Sequence, residues 1–253
     1  MTADSREKFW QECFAAAARA GLPENEINSY SAHGWQARQE AFSRRLRRLL
    51  AAGDVAAGER AIDVGCGSGA YCRIMHAFGL DVTGTDLCRD SLEYATAHSP
   101  GAIRFLHANC LNLPFPDDSF GLAVSVGVLQ HVSDTPGFLR EHVRILRPGG
   151  VLLLMTLNRH TVLEAMRRIA PACNRRRRLA APEVRLRRFS RRELYDGVLR
   201  EAPGARMDVS PVFVFPRSMA RAEGLAARLG TVANLAGPLA VDLLVTVKLP
   251  GNR

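Results

Sequence analysis

Ala61-Ile62-Asp63-Val64-Gly65-Cys66-Gly67-Ser68-Gly69-Ala70 is the most informative run in the chain. A short apolar segment, Arg60 to Val64, predicts a strand, and the pattern from Ala70 to Phe78 predicts a helix. Three glycines lie between them. Glycine lets a backbone turn tightly and approach a ligand closely. The first turn of the helix offers unpaired N–H groups and a positive dipole end, a good seat for a carboxylate or phosphate. The next predicted strand, Asp81 to Thr85, runs into Asp86. A carboxylate there can accept both hydroxyls of a ribose. Together the two features describe an adenosine-type ligand at the carboxyl ends of neighbouring strands. Gly65, Gly67 and Ala70 also satisfy the dinucleotide pattern G-x-G-x-x-G/A, so the local run leaves two ligand classes open.

Outward from this run, strands and helices alternate. Helices are predicted over 5–20, 35–52, Ser91 to His98, Thr135 to Leu146, Ser190 to Arg200 and Arg217 to Leu229. Asp134 is a candidate N-cap, with Pro136 in the first turn of its helix. Strands are predicted over Ile103 to His107, Phe120 to Val126, Val151 to Leu157, Met207 to Phe215 and Val241 to Leu249, with Pro148-Gly149-Gly150 as a turn. Alternation of this kind means parallel pairing with right-handed crossovers. Val151 to Met155 is continuously apolar, which requires a sheet covered on both faces. The expected fold is α/β: a doubly wound, mostly parallel seven-stranded sheet, here 53–253, behind a helical N-terminal cap, 1–52, with a basic insertion at about 160–192.

Composition narrows the class. The 253 residues are 47% apolar and 23% charged, an ordinary globular balance that excludes collagen-like and wholly disordered chains. Met1 to Lys8 is polar and shows no apolar leader, so a cytoplasmic location is expected. The six cysteines include no C-x-x-C pair, which favours free thiols over zinc or disulfides and leaves no metal site expected. Net charge is +9, and Arg167 to Arg192 alone carries +10 through eleven arginines and one acid, Glu183. The rest of the chain sums to −1. A near-neutral body with one cationic segment points to an anionic partner or a solvated face.

Several ordered motifs resemble the class I S-adenosylmethionine-dependent methyltransferases. Ile62 to Gly69 looks like their glycine motif, and Val82-Thr83-Gly84-Thr85-Asp86 like their second strand and ribose acid. The run from Asn109 to Phe120 is similar to their adenine-side loop. Leu129-Gln130-His131-Val132 follows the fourth strand, and Leu139, Glu141, Arg144, Leu146 and Pro148 to Gly150 lead into the fifth. The resemblance spans about 58–158. It implies S-adenosyl-L-methionine as cofactor, with Gly65, Cys66, Gly67 and Gly69 around its methionine part and Asp63 at the base of the loop. It places Asp86 and Leu87 at the ribose, Asn109, Cys110 and Leu111 about the adenine, and Val126 beside them. Relatives usually carry an acid where this chain has Asn109, though an amide oxygen still accepts a hydrogen bond. They also usually carry Asp at the position of Gly121.

A sulfonium makes its methyl group electrophilic, so the protein's main task is alignment. If the acceptor is a hydroxyl, a base helps. His131 is the first candidate and His160 the second, although a packing role suits His131 too. Tyr30, His33 and Trp35 could line a lid over the cofactor or simply cap the core. Thr156-Leu157-Asn158-Arg159 resembles the ubiquinone-biosynthesis O-methyltransferases, which suggests O-methylation of a small, lipophilic acceptor. Val162, Leu163, Met166 and Ile169 beside Arg167 and Arg168 would form a basic amphipathic face. That face fits peripheral contact with an anionic membrane through Arg167–Arg192, or a solvated loop. Nucleic acid is disfavoured: no proline pair follows Ser125 to His131, and aromatics are only 7%. The other classes consistent with the glycine run are an NAD(P)-dependent oxidoreductase and a non-catalytic binding member of the same fold.

Overall fold

The computed structural model describes residues 32–160, 186–212 and 242–251, together with positions 9, 12–17, 19, 20 and 22. The helices whose bounds lie among the described residues are α1 (Ala32–Ala51), α2 (Ala70–Ala77), α3 (Arg89–Ala97), α4 (Thr135–Arg144) and α5 (Arg191–Glu201). The strands are β1 (Arg60–Val64), β2 (Asp81–Asp86), β3 (Arg104–His107), β4 (Phe120–Val126), β5 (Leu146–Leu157), β6 (Arg206–Val212) and β7 (Asp242–Lys248). Positions 9, 12–17 and 19 are helical, as the N-terminal pattern predicts. Tyr30, the helix expected over Arg217 to Leu229 and the stretch 161–185 lie outside the described residues, as does the side chain of His33.

One seven-stranded sheet has the order β3-β2-β1-β4-β5-β7-β6. The first five strands pair in parallel, and β7 pairs antiparallel with both β5 and β6. The continuous apolar runs are explained by burial on both faces. Val151, Leu153 and Met155 of β5 point into a core shared with Phe42, Leu46, Tyr71 and Met75 from α1 and α2. Leu152 and Leu154 point the other way, into a core shared with Phe138 and Leu139 of α4 and Leu194 and Val198 of α5. The period of two along one strand thus feeds both hydrophobic layers.

Local signals mark the helix ends. Asp134 accepts from Gly137 N–H at 2.9 Å, the expected N-cap. Ser190 and Glu193 form a reciprocal capping box at the start of α5. Pro148-Gly149-Gly150 departs from expectation. It belongs to β5 rather than to a turn, because Gly149 N–H bonds Pro250 O and Gly150 O accepts from Leu249 N–H, both at 2.9 Å. The end of β7 draws the segment into the sheet.

The structure also accounts for Gly121. A Cβ built there would lie 1.9 Å from Glu59 Oε1. Glu59 is fixed in that space by Arg147, whose Nε donates to Oε1 at 2.6 Å, and by the N–H of Ala56 at 2.9 Å. A carboxylate arriving from just before β1 thus fills the space that a side chain at position 121 would take. Gly121→Asp should therefore lower stability by about 1–3 kcal/mol through crowding and like-charge repulsion. Adding Glu59→Ala should restore most of the loss. Urea melts of the two variants check this, and a neutral single change refutes the steric account.

Candidate active site

Two adjoining cavities open at the carboxyl ends of β1, β2 and β4. The turn between β1 and α2 forms their shared floor. Gly65 and Cys66 N–H groups bond Thr85 O at 2.7 and 2.9 Å, which ties the loop to the end of β2. Gly65 has φ 75°, and a Cβ there would lie 2.2 Å from Val128 Cγ2. Any side chain at 65 is therefore strained and also intrudes on the cavity wall. Asp86 finishes the lock. Its Oδ2 accepts from Gly67 N–H and its Oδ1 from Cys88 N–H, each at 2.8 Å. Burial pushes this carboxyl up, while the N–H groups of Cys88, Gly67 and Leu87 pull it back down.

The first cavity, about 180 Å³, is lined by Gly65, Gly67, Asp86, Leu87, Asn109, Cys110, Leu111 and Val126. Eight residues expected from the sequence thus share one wall. Phe14, Tyr94, Val128 and His131 also line this cavity. Cys66 lines the second cavity, of about 160 Å³, and Gly69 caps α2 in the left-handed region without lining either space. Asp63 also lines neither. It is 1% exposed, accepts from Cys72 Sγ at 3.5 Å, and its Oδ1 has no hydrogen-bond partner among the described residues. Burial, and secondarily the charge of Asp86, push its carboxyl up to about 7 against the pull of the Cys72 hydrogen bond.

The loop between β3 and β4 is held by side chains from α4. Leu113 N–H donates to Glu141 Oε1 at 2.6 Å, and Arg144 donates to Phe115 O at 2.8 Å and Leu113 O at 3.2 Å. Arg144 also pairs with Glu141 and Asp117, each at 2.7 Å. The Glu141-x-x-Arg144 spacing thus places a carboxylate and a guanidinium on one helix face to clasp the loop. Asn109 Oδ1 accepts from Leu111 N–H at 2.9 Å, so this amide shapes its own turn and keeps a second lone pair.

The two histidines separate. His131 lines both cavities, meets Phe14 edge to face at 6.0 Å, and is held neutral by burial, which lowers it to about 4. His160 is exposed, its backbone N–H and carbonyl bond the side-chain amide of Asn158, and it lines neither cavity. Trp35 lines the second cavity beside Arg38, Tyr71 and Gln130. Sequence reasoning missed Phe14, Arg38 and Gln130. Gln130 sits beside a residue it singled out, whereas Phe14 and Arg38 look like ordinary residues of amphipathic helices.

Residues 62–154 match the model of the family described as methyltransferase domain. This segment is a class I methyltransferase domain. The chain is 37% identical over 110 residues to a malonyl-[acyl-carrier protein] O-methyltransferase of Serratia marcescens, covering 44% of this chain and 43% of that protein. It is 32% identical over 123 residues to O-methyltransferase resE of Aspergillus sclerotiorum, covering 46% and 47%. It is 27% identical over 124 residues to a ubiquinone biosynthesis O-methyltransferase of Bradyrhizobium sp. (strain ORS 278), covering 48% and 49%. These matches span less than half the length of those relatives. Among solved structures, an S-adenosylmethionine-dependent methyltransferase from Mesorhizobium loti aligns with TM-score 0.56 at 23% identity, covering 76% of this chain and 91% of that one. A Haemonchus contortus phosphoethanolamine N-methyltransferase 2 in complex with S-adenosyl-L-methionine aligns with TM-score 0.57 at 17% identity, covering 83% and 52%. At these identities the structures show the methyltransferase domain's fold.

Proposed function

We propose that the chain transfers the methyl group of S-adenosylmethionine to an oxygen of a small-molecule acceptor, with a hydroxyl on a lipophilic body as the group modified. The carrying observation is that Asp86, the Gly65–Ser68 turn and the Asn109–Leu111 triplet face one cavity. Asp86 suits the ribose, the turn's backbone suits the methionine part, and Leu87, Cys110 and Leu111 suit the adenine. Bound there, the cofactor supplies an activated methyl group. The chain's own contribution is to orient the reactants and exclude water between Phe14, Val128 and His131. The match to several proteins named as O-methyltransferases supports an oxygen acceptor. Calorimetry with S-adenosylhomocysteine tests the reading. We expect clear binding heat, and no heat at high ligand concentration sinks it.

The strand order speaks against the oxidoreductase alternative. Dinucleotide-binding sheets run 3-2-1-4-5-6, whereas here antiparallel β7 is inserted between β5 and β6. A non-catalytic member would bind S-adenosylhomocysteine yet turn over no acceptor. The charge of the arginine-rich segment Arg167–Arg192 suits contact with an anionic membrane, each basic residue near such a surface contributing about 1 kcal/mol. Among the described residues no helix is long and apolar enough to cross a membrane.

We assign the removal of the hydroxyl proton to His131, which lines both cavities. Because burial lowers it to about 4, it is neutral throughout the physiological range, and the protonation that would remove it as a base falls near that value. Turnover should be level from pH 6 to pH 8 as far as this residue is concerned and should collapse as the pH falls toward 4. His131→Ala should lower kcat by about a hundredfold. Full turnover of the variant at neutral pH removes His131 as a base.

A further inference from the structure

Gln130 follows the end of β4, is 6% exposed, and lines the second cavity beside Trp35, Tyr71 and His131. It does not line the first cavity, where the residues suited to the cofactor gather. Its side-chain oxygen is engaged. The hydroxyl of Thr156, fully buried on β5, donates to Oε1 at 3.4 Å. Among the described residues Oε1 is the only acceptor of that buried proton, which fixes the amide with its oxygen toward β5. The main-chain carbonyl is engaged too, accepting from Arg187 N–H at 3.2 Å. The amide nitrogen is left with its pair of N–H donors and, among the described residues, no hydrogen-bond partner. It lies toward Gly127, where a Cβ would stand 3.7 Å from Nε2, and Gly127 lines both cavities. The donor is therefore held where the two cavities meet, next in sequence to the histidine assigned to the hydroxyl proton. A buried N–H must find an acceptor or carry a desolvation cost. Water supplies one while the cavity holds solvent, and a bound molecule that displaces the water must supply its own.

We propose that Gln130 selects the acceptor molecule, its Nε2 donating to an oxygen other than the one methylated, which makes the substrate class small flat hydroxyl compounds that carry a second, hydrogen-bond-accepting oxygen such as a carbonyl or an ether. This rests on the methyltransferase reading of the adjoining cavity. The division of labour follows from donor and acceptor types. Neutral His131 accepts the proton of the hydroxyl that is methylated, and an amide nitrogen can only donate, so the two neighbours ask for opposite partners on one molecule. Trp35 and Tyr71 supply ring surface for a flat body. Thr156 acts as a positioning residue: it lines neither cavity and holds the amide in the orientation that presents Nε2.

The test uses the ortho, meta and para isomers of methoxyphenol and the matching ethylphenols, in which a methylene replaces the ether oxygen. Each is titrated by calorimetry into the protein saturated with S-adenosylhomocysteine. At least one methoxyphenol should bind about tenfold more tightly than its ethyl counterpart, or better, because the ethyl group leaves the buried N–H donors unpaired. Gln130→Met, which keeps the length and removes the donor, should abolish the preference. Gln130→Asn, which withdraws the amide by one methylene, should do the same and covers a Met variant that fails to fold. Thr156→Val should weaken the preference while leaving ethylphenol affinity unchanged, which the loss of a merely structural threonine would not do. No binding of any methoxyphenol, no preference in any isomer pair, or a preference that survives in whichever Gln130 variant folds overturns the proposal. An equal loss for both members of the pair in Thr156→Val overturns the positioning role. If S-adenosylhomocysteine itself gives no heat, the methyltransferase reading fails, while the same pairs titrated into the unliganded protein still report separately on Gln130.

Discussion

Replacing Asp86 by asparagine should lower the affinity for S-adenosylhomocysteine by at least about a hundredfold, equivalent to about 3 kcal/mol. The carboxylate has two tasks. It accepts Gly67 N–H and Cys88 N–H at 2.8 Å each, which sets the shape of the glycine turn, and in the proposed binding mode its cavity-lining side chain also receives the ribose. Asparagine offers one oxygen and turns an N–H₂ group against one of the two backbone donors, so a bond becomes a clash of hydrogens. Hydrogen bonds to a charged group are worth about 1.5–3 kcal/mol each, and the variant loses at least one of them together with a ribose contact. Calorimetry gives the affinity. A change below tenfold removes Asp86 from the cofactor cradle.

Asp63 gives the other large effect, on stability rather than binding. Its carboxyl is raised from 3.8 to about 7 by burial, so the folded state holds this proton where the unfolded state releases it. The stability of the folded state at this site is fully present below about pH 4. It is lost as the pH rises toward 7 and does not fall further above that. Linkage makes the loss roughly 3–4 kcal/mol. Asp63→Asn removes the titration, so its stability should lack this slope and exceed that of the parent at pH 8. The difference between the two proteins isolates Asp63 from Asp242 and from the buried histidines, whose titrations are common to both. Denaturant melts from pH 4.5 to pH 8 measure it, and parallel curves for the two proteins would falsify the buried-proton account.

The legible part of the fold was the part written in contiguous residues. The Ala61–Ala70 run specifies a strand, a glycine turn and a helix start without reference to anything distant, and all three are present. Val151 to Leu157 could only be a strand buried on both sides, and it is. Asp134 and Ser190 each cap a helix through a neighbour three positions on. Pro148 to Gly150 misled for the opposite reason. Proline and glycine describe what a chain does alone, while the bonds with Pro250 and Leu249 come from a strand far along the sequence.

The candidate site divides in the same way. Asp86 could be placed because strand ends in a parallel α/β sheet converge on one rim, whereas the Asn109–Leu111 triplet was placed by the resemblance to the methyltransferases. Of the two histidines chosen as bases, His131 follows the end of β4 into the cavity, whereas His160, beyond β5, is exposed while its backbone is held by the buried Asn158. Residue type was the same in both cases and only the path of the chain beyond the strand differed.

From the sequence alone follow the alternation of elements, the glycine turn, the acid that closes β2 and the parallel sheet, because periodicity and turn chemistry act over a few residues. Only the folded chain decides that Glu59 fills the space at Gly121, that Arg38 finds Asp242, and that Phe14 and His131 close over the same cavity. Those meetings join residues distant along the chain, and their positions are set by how helices dock on the two faces of the sheet, which no local pattern encodes.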